Sequence, residues 1–412
     1  MKKKKPLIWV ALVASLLLVT TGCSQNQQEI FNANLKMQDV NSMKAHTTMT
    51  FKLSGSGLEP TAQQQFDTAS TFLNNAKLDL DVLTNGNPQK TTSQSQVAIN
   101  LVTPGMTINL PCWVDSDLTG NTPNVKEIVK LPQIAKASLP TQIASKEYMV
   151  LNTSDMNKSV PNTMDMTSLM EFSKDFQAKE VAFLTSYAQR FNPNLDTADN
   201  GIQYVQTDEG LVPARAYEVK LNDAQFKYFI RYTVNNFVQD SEAMNFVKDF
   251  MDSILGFSQV PDKAKTSSDF DQAFKEFDTN KAQFLTQFNT AMDQLNNVPL
   301  LGDKGIDLQY DISRGYLIKK SGTIDLKVDL AQINQFVNTL SGQQSPIEAK
   351  GLLNLMINYN TDVSGINTPQ KIEIPEITAD NSFNYMDLIK LSTTATGTGT
   401  ATGIPALTAI PK

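Results

Sequence analysis

The chain reads as an α+β protein: one large, curved antiparallel sheet with several helices packed on its concave face. Three observations predict this. Long runs alternate apolar and polar residues strictly, so the strands they form have one wet face. Successive runs are joined by short turns, whereas a parallel sheet needs regular helical crossovers. Between the runs lie stretches whose apolar residues recur at helical spacing. The pattern argues against a doubly wound α/β fold, and so against a typical solute-binding protein.

Residues 1–22 have the form of an export leader, with basic Lys2 to Lys5, an apolar run from Leu7 to Val19 and small residues before Cys23. That run is too short to span a bilayer comfortably. Residues 23–28, with "SQNQQ" after the cysteine, read as a polar tether, and residues 29–390 as a single folded domain. Ile30, Phe31, Leu35, Met37 and Val40 predict a helix, and the alternation of Met49, Phe51 and Leu53 predicts a strand. A polar helical insert near Ala62 to Ala76 precedes a long hairpin, Leu78–Leu80–Val82 and Val97–Ile99–Leu101, turned at Asn85 to Pro88. Met106, Ile108 and Leu110 continue it, and a short helix or loop in "KLPQIAKASLP" returns to a strand through Tyr148 and Val150.

A helical stripe runs from Met166 to Phe191, ended by Asn192 and Pro193. Strands follow around Ile202 to Val205 and at Tyr217, Val219 and Leu221. Asn222 and Gln225 have the spacing of a capping box, opening a helix with Phe226, Phe229, Val234 and Phe237 on one face. A second helix stops at Gly256, and a third runs from about Ser268 to Asn297. Strands return at Ile306 to Ile312, Ile324 to Leu330 and Leu353 to Tyr359, with a short helix near Ala331 to Leu340, and "TPQKIEIPEI" predicts a last, Pro-bounded strand. The two hairpin regions are alike, either through duplication or because the same sheet pattern is used twice. Residues 391–412 form a Thr, Ala and Gly tail too poor in apolar surface to fold.

Composition limits the chemistry. The formal net charge is -7, and -11 without the four leader lysines, so no basic excess exists to neutralise nucleic-acid phosphates. The chain holds 34 Asn and 29 Gln but four Arg and one His. His46 alone cannot build an imidazole metal site or a two-histidine centre, and reads as a surface or edge residue. Cys23 and Cys112 cannot make a disulfide framework, and Cys112, lacking a base, reads as a buried inert thiol. No phosphate loop, Rossmann glycine triplet, nucleophile elbow or zinc-protease motif is present, and the carboxylates are scattered. An enzyme is not expected, and no cofactor is called for.

Two resemblances carry further expectations. "LVTTGC" resembles the lipobox of bacterial lipoproteins, with Gly22 and Cys23 in place and Thr20 where Leu is usual. The resemblance implies diacylglyceryl modification of Cys23 and anchoring to the outer face of the bacterial cell membrane; an ordinary secretory leader is the alternative. The segments "LKMQDVNSMKAHTTMTFKLSG", "ARAYEVKLNDAQF" and "KIEIPEI", with the order helix, hairpins and inserted helices, resemble the LolA/LppX-like superfamily of lipoprotein carriers and surface lipoproteins. That resemblance implies an incomplete β-barrel whose concave apolar face is covered by helices and holds lipid or acyl chains. The chain departs from the compact carriers in its helices between Met166 and Asn297, and the Arg-centred site of some carriers has no counterpart.

Within this frame, Met166, Met170, Phe172 and Phe176, with Phe270, Phe274, Phe277, Phe284 and Phe288, either line a ligand cavity or form helix-on-sheet core. Asp115, Asp117 and Thr119 open a run that is similar to the first half of a calcium loop, although Lys126 stands at the twelfth position, where a Glu closes the site, and an acidic surface turn is the plainer reading. Two functions compete: a lipoprotein binding an apolar or amphipathic ligand such as a lipid, and a non-catalytic envelope module presenting its amide-rich surface to cell wall or protein.

Overall fold

A computed structural model describes residues 24–119, 124–153, 166–257, 263–341 and 350–395. The leader and Cys23 lie outside them, as do Gly120, Asn121 and the tail from residue 396. The structure is α+β, built on one twelve-stranded open sheet in the order β12-β6-β5-β4-β3-β2-β1-β11-β10-β9-β8-β7. All neighbours pair antiparallel except β12 and β6, which are parallel.

Two meanders make the sheet. The first is β1 (Ser42–Ser56), β2 (Lys77–Gly86), β3 (Thr92–Thr103), β4 (Met106–Asp117), β5 (Asn124–Lys130) and β6 (Tyr148–Asn152). The second is β7 (Thr197–Thr207), β8 (Gly210–Leu221), β9 (Leu301–Ser313), β10 (Tyr316–Asp329) and β11 (Leu352–Ser364). A thirteen-pair seam of β1 on β11, from Lys44–Ser364 to Ser56–Leu352, joins them. The short β12 (Ser382–Asn384) closes the far edge.

Nine helices lie among the described residues. These are α1 (Gln25–Gln38), α2 (Pro60–Leu73), α3 (Gln133–Lys136), α4 (Met166–Arg190), α5 (Asp223–Gln239), α6 (Ser241–Phe257), α7 (Lys263–Gln294), α8 (Leu330–Ser341) and α9 (Tyr385–Ala395). The capping box at Asn222 is present: its side chain accepts from the Gln225 amide at 2.9 Å, and Gln225 accepts from the Asn222 amide at 3.0 Å. Helix α2 folds back on β1, and a Cβ added to Gly55 would meet the Phe66 ring at 2.6 Å, so any larger residue there would have to displace that ring.

The helices do not spread evenly over the sheet. Helices α4 to α7 pack chiefly on one another, burying Phe183, Tyr187, Phe237, Met244 and Phe288, and this core meets the sheet through Leu221 and Ile306. Helix α1 lies beside it and packs Ile30 and Ala33 on Tyr217, Val219, Tyr310 and Ile312. On the opposite face, Ile372, Ile374 and Ile377 cover Trp113, Ile128 and Val150.

Three expectations need correction. Of the expected tether, residues 24–28 belong to the fold, since α1 opens at Gln25, capped by Ser24, and Gln27 is 1% exposed with its amide donating to the Leu195 carbonyl at 2.8 Å. "TPQKIEIPEI" is not a strand. Pro369 and Pro375 remove two amide donors, and the segment crosses the sheet face pinned by reciprocal bonds of 2.7 Å between Asn85 and the Gln370 backbone. The last helix also continues to Ala395, past the expected start of the tail.

Candidate functional site

Because strand side chains alternate with period two, the registers assign every central residue to a face. Three cross-strand rows define one face: Tyr359–Met49–Leu78–Leu101–Ile108, then Tyr310–Lys320–Thr361–Thr47–Leu80–Ile99–Leu110, then Val363–Ala45–Val82–Val97–Cys112–Val129. The other face carries Asp362–His46–Asp81 and Asn360–Thr48–Asp79. Its polar groups pair among themselves: His46 Nδ1 lies 2.7 Å from Asp81 Oδ1, and Thr48 Oγ1 donates to Asp79 Oδ1 at 2.7 Å. The Asp79 carboxyl is opposed by burial yet held below its usual range by Thr48, Lys77 and His46.

The apolar rows are half-buried. Apart from Val363 and Tyr310, none of their apolar side chains is buried, whereas Tyr217, Val219 and Ile312 beneath α1 are. Full burial of a Val, Leu or Ile side chain is worth roughly 1.5–3 kcal/mol, so the nine half-buried ones leave a large share of that stabilisation to whatever covers them. The face can therefore receive an apolar body.

The row that begins at Tyr310 carries polar groups into this face. A β-bulge between Leu317 and Lys319 sets the parity of β10 so that Lys319 joins the polar face, 3.3 Å from Asp362, while Lys320 points to the apolar one. The Lys320 ammonium lies 5.5 Å from the Tyr310 ring centroid and 5.9 Å from that of Tyr359. Beside it the Thr47 and Thr361 hydroxyls bond each other at 2.9 Å. Burial pushes the Tyr310 phenol up to about 12 and raises that of Tyr359.

The nine Met and Phe candidates do not meet at this face. Phe288 is 1% exposed inside the helical core, and Phe274, Phe277 and Phe284 pack against that core. Phe270 lies 6.1 Å from Phe274 along α7, their rings tilted by 45°, and Phe176 lies 5.2 Å from Phe246 and 4.8 Å from Phe250. Met166, Met170 and Phe172 fall on α4, with side chains outside the described set. The sequence does not single out Lys320 because a bulge has no local signature; the pair Lys319–Lys320 inside an alternating run is its one visible trace.

The remaining candidates are placed as follows. Cys112 lies half-buried on the apolar face with Sγ 3.6 Å from Glu127 Oε1, and burial together with Glu127 pushes its thiol up to about 11. Asp115 and Asp117 stand on β4, an extended strand that cannot wrap an ion as a calcium loop does. Asp117 Oδ1 instead accepts from the Thr119 amide at 3.0 Å and from its hydroxyl at 2.6 Å. Among the described residues no cluster of three or more His, Cys, Asp or Glu could hold a metal.

Two clefts lie elsewhere. One, of about 490 Å³, runs along α2 past Gln63, Gln64 and Asp67. The other, of about 600 Å³, lies between α5 and α7, lined by Tyr228, Arg231, Tyr232, Asn235, Asn236 and Asn289 among others. On the β7–β8 hairpin, Ile202 and Tyr204 are 74% and 72% exposed. No helix among the described residues is long and apolar enough to cross a membrane. Comparison with protein families, with curated proteins and with solved structures gives no match to this chain.

Proposed function

We propose that the chain is a membrane-anchored, extracytoplasmic lipoprotein without catalytic activity, whose sheet acts as a half-barrel for an apolar or amphipathic ligand such as a lipid. The observation that carries this reading is the half-buried apolar face spanning β11 and β1 to β4, which the helices leave partly open. The resemblance to the LolA/LppX-like superfamily and the lipobox at Cys23 agree with it. The exposed Ile202 and Tyr204 lie on β7, to which the first turn of α1 is tied by the bond from Asn26 Nδ2 to the Thr197 carbonyl at 2.8 Å. An anchor on Cys23 would hold that edge near the bilayer, where an aliphatic and an aromatic side chain sit well.

Native mass spectrometry of the full chain released from neutral nanodiscs, followed by solvent extraction, tests the ligand. A reproducible adduct of lipid mass is expected, and a clean apo mass that takes up no added lipid would overturn it. Cys23→Ala should release the protein or leave the precursor uncleaved; unchanged membrane retention would overturn the anchor.

A second reading, a non-catalytic module that binds cell-wall polymer, is favoured by the cleft between α5 and α7. Tyr228 is 50% exposed there, its ring lies 6.1 Å from that of Tyr232, and the amides of Asn235, Asn236 and Asn289 surround the pair. Binding to purified cell wall that is lost in Tyr228→Ala would support it.

A further inference from the structure

We propose that the apolar face selects amphiphiles carrying a single anionic group, and that Lys320 is the residue that receives it, with the Tyr310 and Tyr359 rings as its cradle. The inference deepens the ligand reading above and rests on it.

Lys320 occupies an unusual place. Its neighbours along the row are Tyr310 on β9 and Thr361 on β11, and the face around them is apolar. Of the carboxylates on the same three strands, Asp307, Asp311, Asp325 and Asp362 have the opposite parity and face away, and Asp303 and Asp329 lie toward the strand ends, seven and nine residues along the chain from Tyr310 and Lys320. Among the described residues the Lys320 ammonium has no ion pair and no hydrogen bond; its contacts are the two tyrosine rings, 5.5 and 5.9 Å away at their centroids. Rings offer a cation partial compensation, far less than a carboxylate would in the same half-dry setting. Burial correspondingly lowers the lysine's affinity for its proton.

An anionic oxygen placed over Lys320 would supply the missing partner. The charge would be matched in a site from which the ligand's own apolar body excludes water, where ion pairs are worth more than at an open surface. The Thr47–Thr361 hydroxyl pair, 2.9 Å apart, lies one residue across the row and can turn a donor toward a second oxygen. From there the half-buried Leu80, Ile99 and Leu110 continue along the same row, giving an acyl chain a continuous apolar path. The ligand chemistry is thus an anionic oxygen at one end of a hydrocarbon chain, as in a fatty-acid carboxylate or the phosphate of a lysophospholipid.

The test uses the full chain in nanodiscs of neutral phosphatidylcholine, titrated with a dansylated fatty acid and with its uncharged primary amide. Wild-type protein should bind the acid at least tenfold tighter than the amide. Lys320→Met should weaken acid binding by about tenfold or more and leave the amide unchanged, and Lys320→Arg should restore the preference. Thermal melts of each variant confirm folding. Displacement by palmitate against displacement by lysophosphatidylglycerol tells carboxylate from phosphate. Equal binding of acid and amide, or equal loss of both in Lys320→Met, would overturn the anion site alone. Binding of neither probe would overturn the apolar-face reading and the anion site with it.

Discussion

Asp311 shows how a single buried charge sets a pH dependence. It is 2% exposed, and its Oδ1 accepts from Gln309 Nε2 at 3.1 Å. Burial raises its carboxyl above the usual range, Asp362 adds to the rise, and Gln309 and Lys319 oppose it. A raised folded pKa means that ionisation disfavours the folded state: the cost is absent below about pH 4, grows as pH climbs to the folded pKa, and is constant above it. Asp311→Asn keeps the acceptor for Gln309 and removes the charge. Its melting temperature should exceed that of the wild type at pH 7 and match it at pH 3; a gain that persists at pH 3 would contradict the burial argument. Cys112 makes a parallel case, because a thiol pushed up to about 11 holds little thiolate at pH 8. Alkylation at pH 8 should run roughly ten to a hundred times slower than for a free cysteine, allowing for the higher nucleophilicity of the more basic thiolate. Mass-resolved iodoacetamide labelling of the native and unfolded protein measures it.

At the scale of elements, end chemistry decides more than composition does. "SQNQQ" looks like a solvated tether because it is polar throughout, yet Ser24 and Gln27 make a reciprocal capping box and Gln27 is spent on the Leu195 carbonyl. The polar residues there are structural, and only the partner 168 residues away reveals it. The box at Asn222 was legible, since Asn222 and Gln225 sit three apart just before an amphipathic run. Asn222→Ala should therefore cost about 1 kcal/mol of stability by denaturant unfolding, with no change in ligand binding. Gln27→Ala should cost about 1–3 kcal/mol, because it leaves the buried Leu195 carbonyl without its donor. The segment after Thr368 departs from its sequence pattern for the converse reason. Its alternation, Ile372 and Ile374, is that of a strand, but the prolines deny it a ladder and it packs as a strap over Trp113.

For the whole molecule, the hairpins were legible because their registers follow from local alternation and turns, while the β1–β11 seam pairs residues some 300 positions apart and leaves no local trace. That seam joins the two meanders into one apolar surface, and with no local trace of it the sequence points to helical Met and Phe residues instead of to the strands themselves. The two locations make opposite predictions. Phe288, 1% exposed in the helical core, should lose about 3–5 kcal/mol on truncation to Ala, and the fraction that remains folded should bind ligand as before. Leu80, half-buried in the middle of the apolar face, has less burial to lose, so Leu80→Gln should cost about 1–2 kcal/mol and yet reduce lipid uptake by about tenfold. Denaturant unfolding and native mass spectrometry on the same two variants separate the effects. If Phe288→Ala abolishes uptake at full folding while Leu80→Gln leaves it intact, the ligand lies among the helices, and the open face of the sheet serves another purpose.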